Sequence, residues 1–447
     1  MRKLLFALPL VAGASWAGTT YYSSSQSEPA YDRLLSQLNQ TDYFKFESEE
    51  YHSGFTQSTA VTKVLLVGEE SSEPMFRLQH VIDHSPVGVD NAGTRVGANS
   101  VVTTLLLESI NPEFAAALNG QEPLTLHTRV DMTGNMINNL ELASLSTTTN
   151  DKTIQFDGGN FEIVSELSGR IHGFGSTGNF VMTDASGVEM NIAEAPLEFD
   201  VQMLTRDIYS GSFDWNMPSI AVTNPVNGMD FNLQDLRINS LSEIQDSFMK
   251  SGMGISVGSL DAPISMDSIN WEFYMTGIPL DGITRYKELE REILASGSND
   301  RMSPEVGDKF VEMYKSLFVP GTTVKNVLEV GNQAGMIGTD LTFIFEGDGS
   351  ESGSDYMQSG RDLLASLRID ATLDADAAAI NMTPLAIFAN VPPASDFIIN
   401  DGVKYTADLS FDDLILYVNG SSIDVICLLY TSPSPRDQRG SRMPSSA

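Results

Sequence analysis

Leu197-Glu198-Phe199-Asp200-Val201-Gln202-Met203 sets each apolar side chain beside a polar one. A period of two sends alternate side chains to opposite faces, so this stretch is a strand with one dry and one wet face. Phe213, Trp215 and Met217 repeat the pattern around Asp214 and Asn216, and Met229, Phe231 and Leu233 repeat it around Asp230 and Asn232. Ile269, Trp271, Phe273 and Met275 continue it. Short turn-rich links between such runs predict an antiparallel meander.

Towards the N-terminus the same period predicts strands near 44–46, 56–67, 76–82, 100–108, 124–132, 136–145, 153–156, 161–165, 171–174 and 179–183. Thr133-Gly134-Asn135 and Asp157-Gly158-Gly159 read as turns, and Gly54 as a turn or bulge. Residues 31–38 and 112–118 read as short helices. After Met275 the period lengthens. Asp281 caps a helix running to about Ala295, with Tyr286, Leu289 and Ile293 on one face. Further helices are expected over 303–320, 356–367 and 375–388, the last broken near Pro384. Strands are expected at 341–345 and 369–373, with a closing hairpin of 403–411 and 414–418 around Asp412-Asp413. The expected class is α+β: a β-rich, long curved antiparallel meander sheet with amphipathic helices packed on one face, mostly in the C-terminal third.

Residues 427–447, CLLYTSPSPRDQRGSRMPSSA, back-translate codon by codon into a transposase-library sequencing adapter and read as an artefact, not as protein. On that reading the native sequence is cut near Ile426. The net charge of −33 over 447 residues then grows more negative by two, since Arg436, Arg439, Arg442 and Asp437 drop out. The single cysteine, Cys427, goes with them, which removes disulfide, thiolate and cysteine–metal chemistry. So acidic a chain repels phosphates, so nucleic acid is not an expected partner. Its charges are interspersed with apolar residues, as on a folded acidic surface.

At the other end Arg2 and Lys3 precede an apolar run from Leu4 to Gly13, followed by small residues at Ala12-Gly13-Ala14 and Ser15-Trp16-Ala17. That layout is a secretory signal, or an uncleaved anchor if the apolar segment extends to Tyr22. The expected organisation is 1–22 signal peptide or membrane anchor, 23–40 tether and short helix, 41–275 antiparallel β-rich region, 276–426 α+β region completing the sheet, and 427–447 artefact. The expected location is the periplasm, with the N-terminal segment as an inner-membrane tether.

Several pieces together resemble a known family: Tyr51-His52-Ser53-Gly54-Phe55 before a strand, Val81-Ile82-Asp83-His84-Ser85-Pro86 after one, Gly158-Gly159-Asn160-Phe161, and Tyr405 through Val418-Asn419-Gly420. Their order and spacing are similar to the YdgA-like bacterial envelope family, domain of unknown function 945. Ser85 departs from the glycine the family tends to carry after the histidine. The resemblance implies an envelope location and a β-rich fold; it supplies no activity. It marks Tyr51, Gly54, Asp83, His84, Pro86, Gly158, Gly159, Asn419 and Gly420 as family-motif positions.

A search for chemistry returns little. Of His52, His80, His84, His127 and His172, only His80 and His84 share a strand face by spacing, and Asp83 points away. A zinc site needs three or four ligands at about 2.0–2.3 Å. Residues 346–355 resemble the first half of a calcium loop through Asp348, Ser350, Ser352 and Gly353, but Ser359 stands where a bidentate glutamate belongs. No nucleophile elbow, zinc-protease helix or phosphate loop occurs. No catalytic, cofactor-binding or metal residue is assigned and no cofactor is expected. Three readings stay open: a non-catalytic extracytoplasmic protein binding an apolar or lipid-like ligand, or a protein partner, on its sheet; an anchored scaffold that self-associates as a homo-oligomer through sheet edges; and a hydrolase lacking a recognisable motif.

Overall fold

The computed structural model describes residues 27–39, 44–54, 57–66, 73–84, 87–90, 93–96, 100–106, 116, 118, 120–131, 133–149, 152–205, 207–226, 228, 230–295, 309, 312, 315–347, 366–392 and 394–424. They fall into two compact units, one drawn from residues 1–245, 251–269 and 287–301, the other from 246–250, 270–286 and 302–447. The expectations for the leader, the helices at 112–118 and 356–367, the calcium-like loop beyond Gly347 and the adapter-like tail lie wholly or mainly outside the described residues.

The first unit is a meander. Its strands are β1 (Phe44–His52), β2 (Gln57–Leu66), β3 (Phe76–Asp83), β4 (Ser100–Leu105), β5 (Leu124–Val130), β6 (Met136–Leu142), β7 (Gly159–Ser165), β8 (Arg170–Thr177), β9 (Ala195–Met203), β10 (Tyr209–Thr223) and β11 (Phe231–Gln245). Each pairs antiparallel with the one before it. Leu145–Thr149, Lys152–Phe156, Phe180–Asp184 and Glu189–Ile192 make a side ladder that rejoins the far end of β10.

Register follows the alternation. Leu126, Leu140, Phe161, Gly175, Leu197, Trp215 and Ile238 stand opposite one another in one row across β5–β11. The adjacent row runs Ile163, Gly173, Phe199, Phe213. Two glycines inside β8 make room for rings. A Cβ on Gly173 would lie 2.7 Å from the Glu162 carbonyl and 2.8 Å from the Phe199 ring, and one on Gly175 would strike the Asn160 carbonyl and lie 2.5 Å from the Phe161 ring. Each ring thus lies against backbone left bare by the missing side chain.

Three hairpin turns share one sequence, acidic-x-Ser/Thr-Gly: Asp131 to Asn135, Glu166 to Arg170 and Asp184 to Val188. Gly134, Gly169 and Gly187 take φ of 88°, 86° and 82°, the left-handed step that lets a type I turn return the chain in register. Asp184 Oδ1 accepts the Ser186 N–H at 2.9 Å, its hydroxyl at 2.6 Å and the Val188 N–H at 3.0 Å. Asp131 does the same for Thr133 and Asn135. The Ser186 hydroxyl, with those amides, holds the Asp184 carboxyl below its ordinary pKa.

The second unit repeats the plan. β12 (Thr323–Asn332), β13 (Gly335–Phe345), β14 (Leu367–Asp376), β15 (Lys404–Asp412), β16 (Ile415–Val418) and β17 (Ser421–Asp424) pair in sequence order. The long antiparallel sheet is as expected; the helices differ. α1 (Ser27–Leu38) lies near the start and packs Tyr31, Leu35 and Leu38 onto β1–β3. α2 (Leu280–Ala295) covers the expected span, but Asp281 lies inside its first turn instead of capping it from outside. Among the described residues of the C-terminal third the well-bounded α-helices are α3 (Ala377–Asn381) and α4 (Leu385–Ala389), with helical residues also at 309, 312 and 315–317. α3 and α4 fall in the span expected to be helical over 375–388 and part at Pro384 as anticipated, most of the spans 303–320 and 356–367 lies outside the described residues, and α1 shows that helices are not confined to that third. Thr323–Asn332 and Phe248–Val257 are strands that the alternation did not mark, because Asn326 breaks one pattern and Gly252 and Gly254 leave gaps in the other.

Gly173→Val will push the Phe199 ring off the sheet and destabilise the protein by about 1–3 kcal/mol, the usual cost of overpacking. A lowered Tm with an unchanged far-ultraviolet spectrum is the expected readout. An unchanged Tm would show that the ring is not seated on that glycine.

Candidate functional site

The two-faced pattern of β2 puts Ser58, Ala60, Thr62 and Val64 on one side, so two hydroxyls enter an otherwise apolar face. Across the ladder His80 stands opposite Ala60 and Thr103. His80 Nε2 lies 2.8 Å from Thr62 Oγ1, and Nδ1 lies 2.9 Å from Thr103 Oγ1. The Tyr31 hydroxyl reaches down from α1 to Thr62 Oγ1 at 2.7 Å and to the Val61 carbonyl at 3.2 Å. A neutral imidazole offers one donor and one acceptor, and two hydroxyls match both. Burial accordingly pushes His80 down to about 4, leaving it uncharged at neutral pH. The same burial raises the Tyr31 pKa. The Tyr31 ring also meets His80 edge-on at 5.9 Å and Tyr51 at 5.6 Å. Further along the face, Thr128 donates to Asn138 Oδ1 at 2.9 Å and Asn138 donates to the Ile163 carbonyl at 3.1 Å. A line of buried polar groups thus crosses from α1 to β7.

The family-motif positions gather partly here. The Gly54 N–H donates to Ser58 Oγ at 3.3 Å, and His84 Nε2 lies 2.9 Å from the same oxygen. Gly54 and His84 therefore meet at Ser58, at the end of β1–β3 where Tyr51 pairs with Ala60 and Asp83 with Gln57. Pro86 lies outside the described residues. Gly158, with φ 86°, and Gly159 shape the entry to β7, where a Cβ on Gly158 would strike the Leu142 carbonyl. Asn419 and Gly420 belong to the second unit and form the β16–β17 turn, with φ of 49° and 78°. Asn419 accepts from the Asp408 N–H at 2.9 Å and donates to the Phe397 carbonyl at 3.0 Å. These positions mainly bend or fasten backbone.

The Ser58–His84 contact has the spacing of a nucleophile and its base, but Ser58 is 1% exposed. His84 Nδ1 is buried without a hydrogen-bond partner among the described residues, so no carboxylate orients the ring there. Burial lowers its pKa, and the Asp83 charge opposes that shift. His80 and His84 do not converge; each is bound to a different hydroxyl. His52 sits 3.6 Å from Glu50, and His172 Nδ1 3.8 Å from Glu166. Among the described residues no three His, Cys, Asp or Glu side chains are grouped to hold a metal ion.

The opposite face is wet and charge-paired. Arg170 binds Asp200 bidentately at 2.9 and 2.6 Å, Glu49 bridges Lys63 and Arg77, and Arg237 pairs with Asp214. An open groove of about 900 Å³ runs along it between Glu194, Glu198 and Asp235 on the acidic side and Arg237 and Phe174. No described catalytic set lines it.

Fold and site together define a β-rich protein built on a long antiparallel meander, with a line of buried polar groups across its first strands. The chain belongs to the family described as bacterial protein of unknown function (DUF945), whose model matches residues 1–391. It is also similar to Protein YdgA of Escherichia coli (strain K12), at 20% identity over 187 residues, 38% of this chain and 37% of that protein.

Unfolded, the His80 imidazole titrates near 6.5; folded, it titrates near 4. Between those values the unfolded chain holds the extra proton, so stability rises from pH 4 to 6.5 and is flat above, by up to about 3 kcal/mol. Denaturant unfolding across that range checks this, and His80→Gln will flatten the slope to the part that His84, whose pKa burial also lowers, contributes. Tyr31→Phe will cost about 0.5–1.5 kcal/mol, the net worth of one hydrogen bond, and will loosen α1 as read by amide exchange of residues 27–38.

Proposed function

We propose that the protein is a non-catalytic binding protein of the bacterial envelope, outside the cytoplasm, whose long sheet holds an apolar, lipid-like ligand against its dry face. What carries this is the paired row across β6–β11. Leu140, Phe161, Leu197, Phe199, Phe213, Trp215 and Ile238 all lie on one face and stay half-buried, whereas the row at β1–β3 is sealed by α1. A continuous apolar strip of partial exposure on a rigid sheet is a surface that gains by covering. The glycines at 173 and 175 leave room beside the Phe199 and Phe161 rings within that strip. The basic-then-apolar opening at Arg2 to Gly13 supports export, and the lack of cysteine before residue 427 is compatible with any redox compartment.

Trp215 reports directly on occupancy. A fatty acid carrying a nitroxide along its chain will quench tryptophan emission saturably. Trp215→Phe will abolish that quenching although Trp16 and Trp271 remain, and Phe213→Glu will weaken binding by on the order of tenfold or more. Absence of saturable quenching, or quenching that survives Trp215→Phe, would remove the ligand from this face.

A further inference from the structure

Residues 377–395 hold no charged side chain, in a chain of net charge −33. The segment contains α3, which buries Ile380, and α4, whose outward and inward faces are reversed. The residues of α4 and its flanks that turn inward are small or polar: Thr383, Ala386 and the buried Ala389. The large apolar ones turn outward: Met382 is 56% exposed, Leu385 51%, Ile387 68%, Phe388 67% and Val391 52%. A helix in water normally does the opposite.

The segment is held firmly in that pose. Ala377, Ala379, Ile380 and Ala389 pack with Ile337, Ala375 and Tyr405. Asn332 donates to the Ala379 carbonyl at 3.1 Å. Asn390 exchanges hydrogen bonds with the Tyr405 hydroxyl at 3.0 and 3.2 Å. Thr383 caps the break at Pro384 by bonding the Ile380 carbonyl and the Leu385 N–H. The outward display is therefore a property of the folded unit.

Three occupants would cover such a projection: a second copy, another protein or a bilayer. Five side chains offer a few hundred Å², well below the ~800 Å² each partner buries in a stable protein pair. Two copies would also bring together chains of −33 each. The patch carries no Arg, Trp or Tyr, the usual anchors of a protein interface. A bilayer needs no matching shape, takes up apolar area in proportion to what is buried, and when zwitterionic presents no net charge to an acidic protein. We propose that the turn around α4 is a membrane-contact tip that inserts Leu385, Ile387, Phe388 and Val391 into the interface of a zwitterionic phospholipid surface. This stands independently of the sheet-bound ligand.

The test uses the full chain with Cys427→Ser and Ile387→Cys, labelled with an environment-sensitive fluorophore, and phosphatidylcholine vesicles. Emission at 387 will shift to the blue and rise several-fold, and lipid nitroxides placed shallow in the acyl chain will quench it more than deep ones. The same label at Ser422→Cys, exposed in β17, will not respond. With a Val391→Cys label as reporter, Ile387→Asp with Phe388→Asp will lower vesicle partitioning at the tip by at least ~100-fold, as expected when two such side chains no longer enter an apolar phase. Both positions are largely exposed, so an unchanged Tm will certify the fold. The proposal is overturned if the label at 387 ignores vesicles, or if the Asp pair leaves the response at 391 intact. It is equally overturned if light scattering shows that the patch mediates self-association while vesicles leave it unmoved.

Discussion

A slip of one residue in any ladder of the first unit would turn its apolar row to water and bury its charges. Register is therefore the constraint on which everything else rests. Burial alone opposes such a slip, but the structure adds two kinds of pin. One is the acidic-x-Ser/Thr-Gly turn, which sets the offset at three hairpins through a left-handed glycine and a carboxylate that accepts the Ser/Thr hydroxyl, with Asp131 and Asp184 also collecting backbone N–H groups. The other is the buried polar line. Thr62, His80 and Thr103 satisfy one another only when β2, β3 and β4 are aligned as found, and a shifted partner would leave a buried imidazole nitrogen bare at a cost of roughly 1–3 kcal/mol.

The same line explains why motif positions that look like chemistry serve architecture. His80 is saturated by hydroxyls, Ser58 is closed to solvent, and Gly54, Gly158 and Gly420 shape turns. The charged groups of the wet face, such as Arg170 with Asp200, are exposed pairs of modest energetic worth. They keep that face in water.

Much of this could be read directly from residues. The alternation at Leu197 to Met203 and at Phe213 to Met217 corresponds to β9 and β10, and Asp281 marks the first turn of α2. Ser58 and Thr62 occupy apolar positions in the β2 pattern, a sign of an inward polar pair that could have been noticed. What was illegible has physical causes. Gly252 and Gly254 carry no side chain to declare a face. The partners of His80 come from three other segments, α1, β2 and β4, which no local spacing connects. The Ala-rich stretch at 375–388 shows helical composition, but not that its large side chains point to solvent.

Pairing in sequence order has a consequence for how the sheet is made. Each strand of the main ladder docks on its predecessor, apart from the detours through the side ladder. Closure distances along the chain stay short, and the entropy lost at each step is small. A chain threaded out of a narrow exit, N-terminus first, would never need to wait for a distant segment. It would carry one growing edge forward, and each arriving hairpin would cover the exposed backbone left by the last.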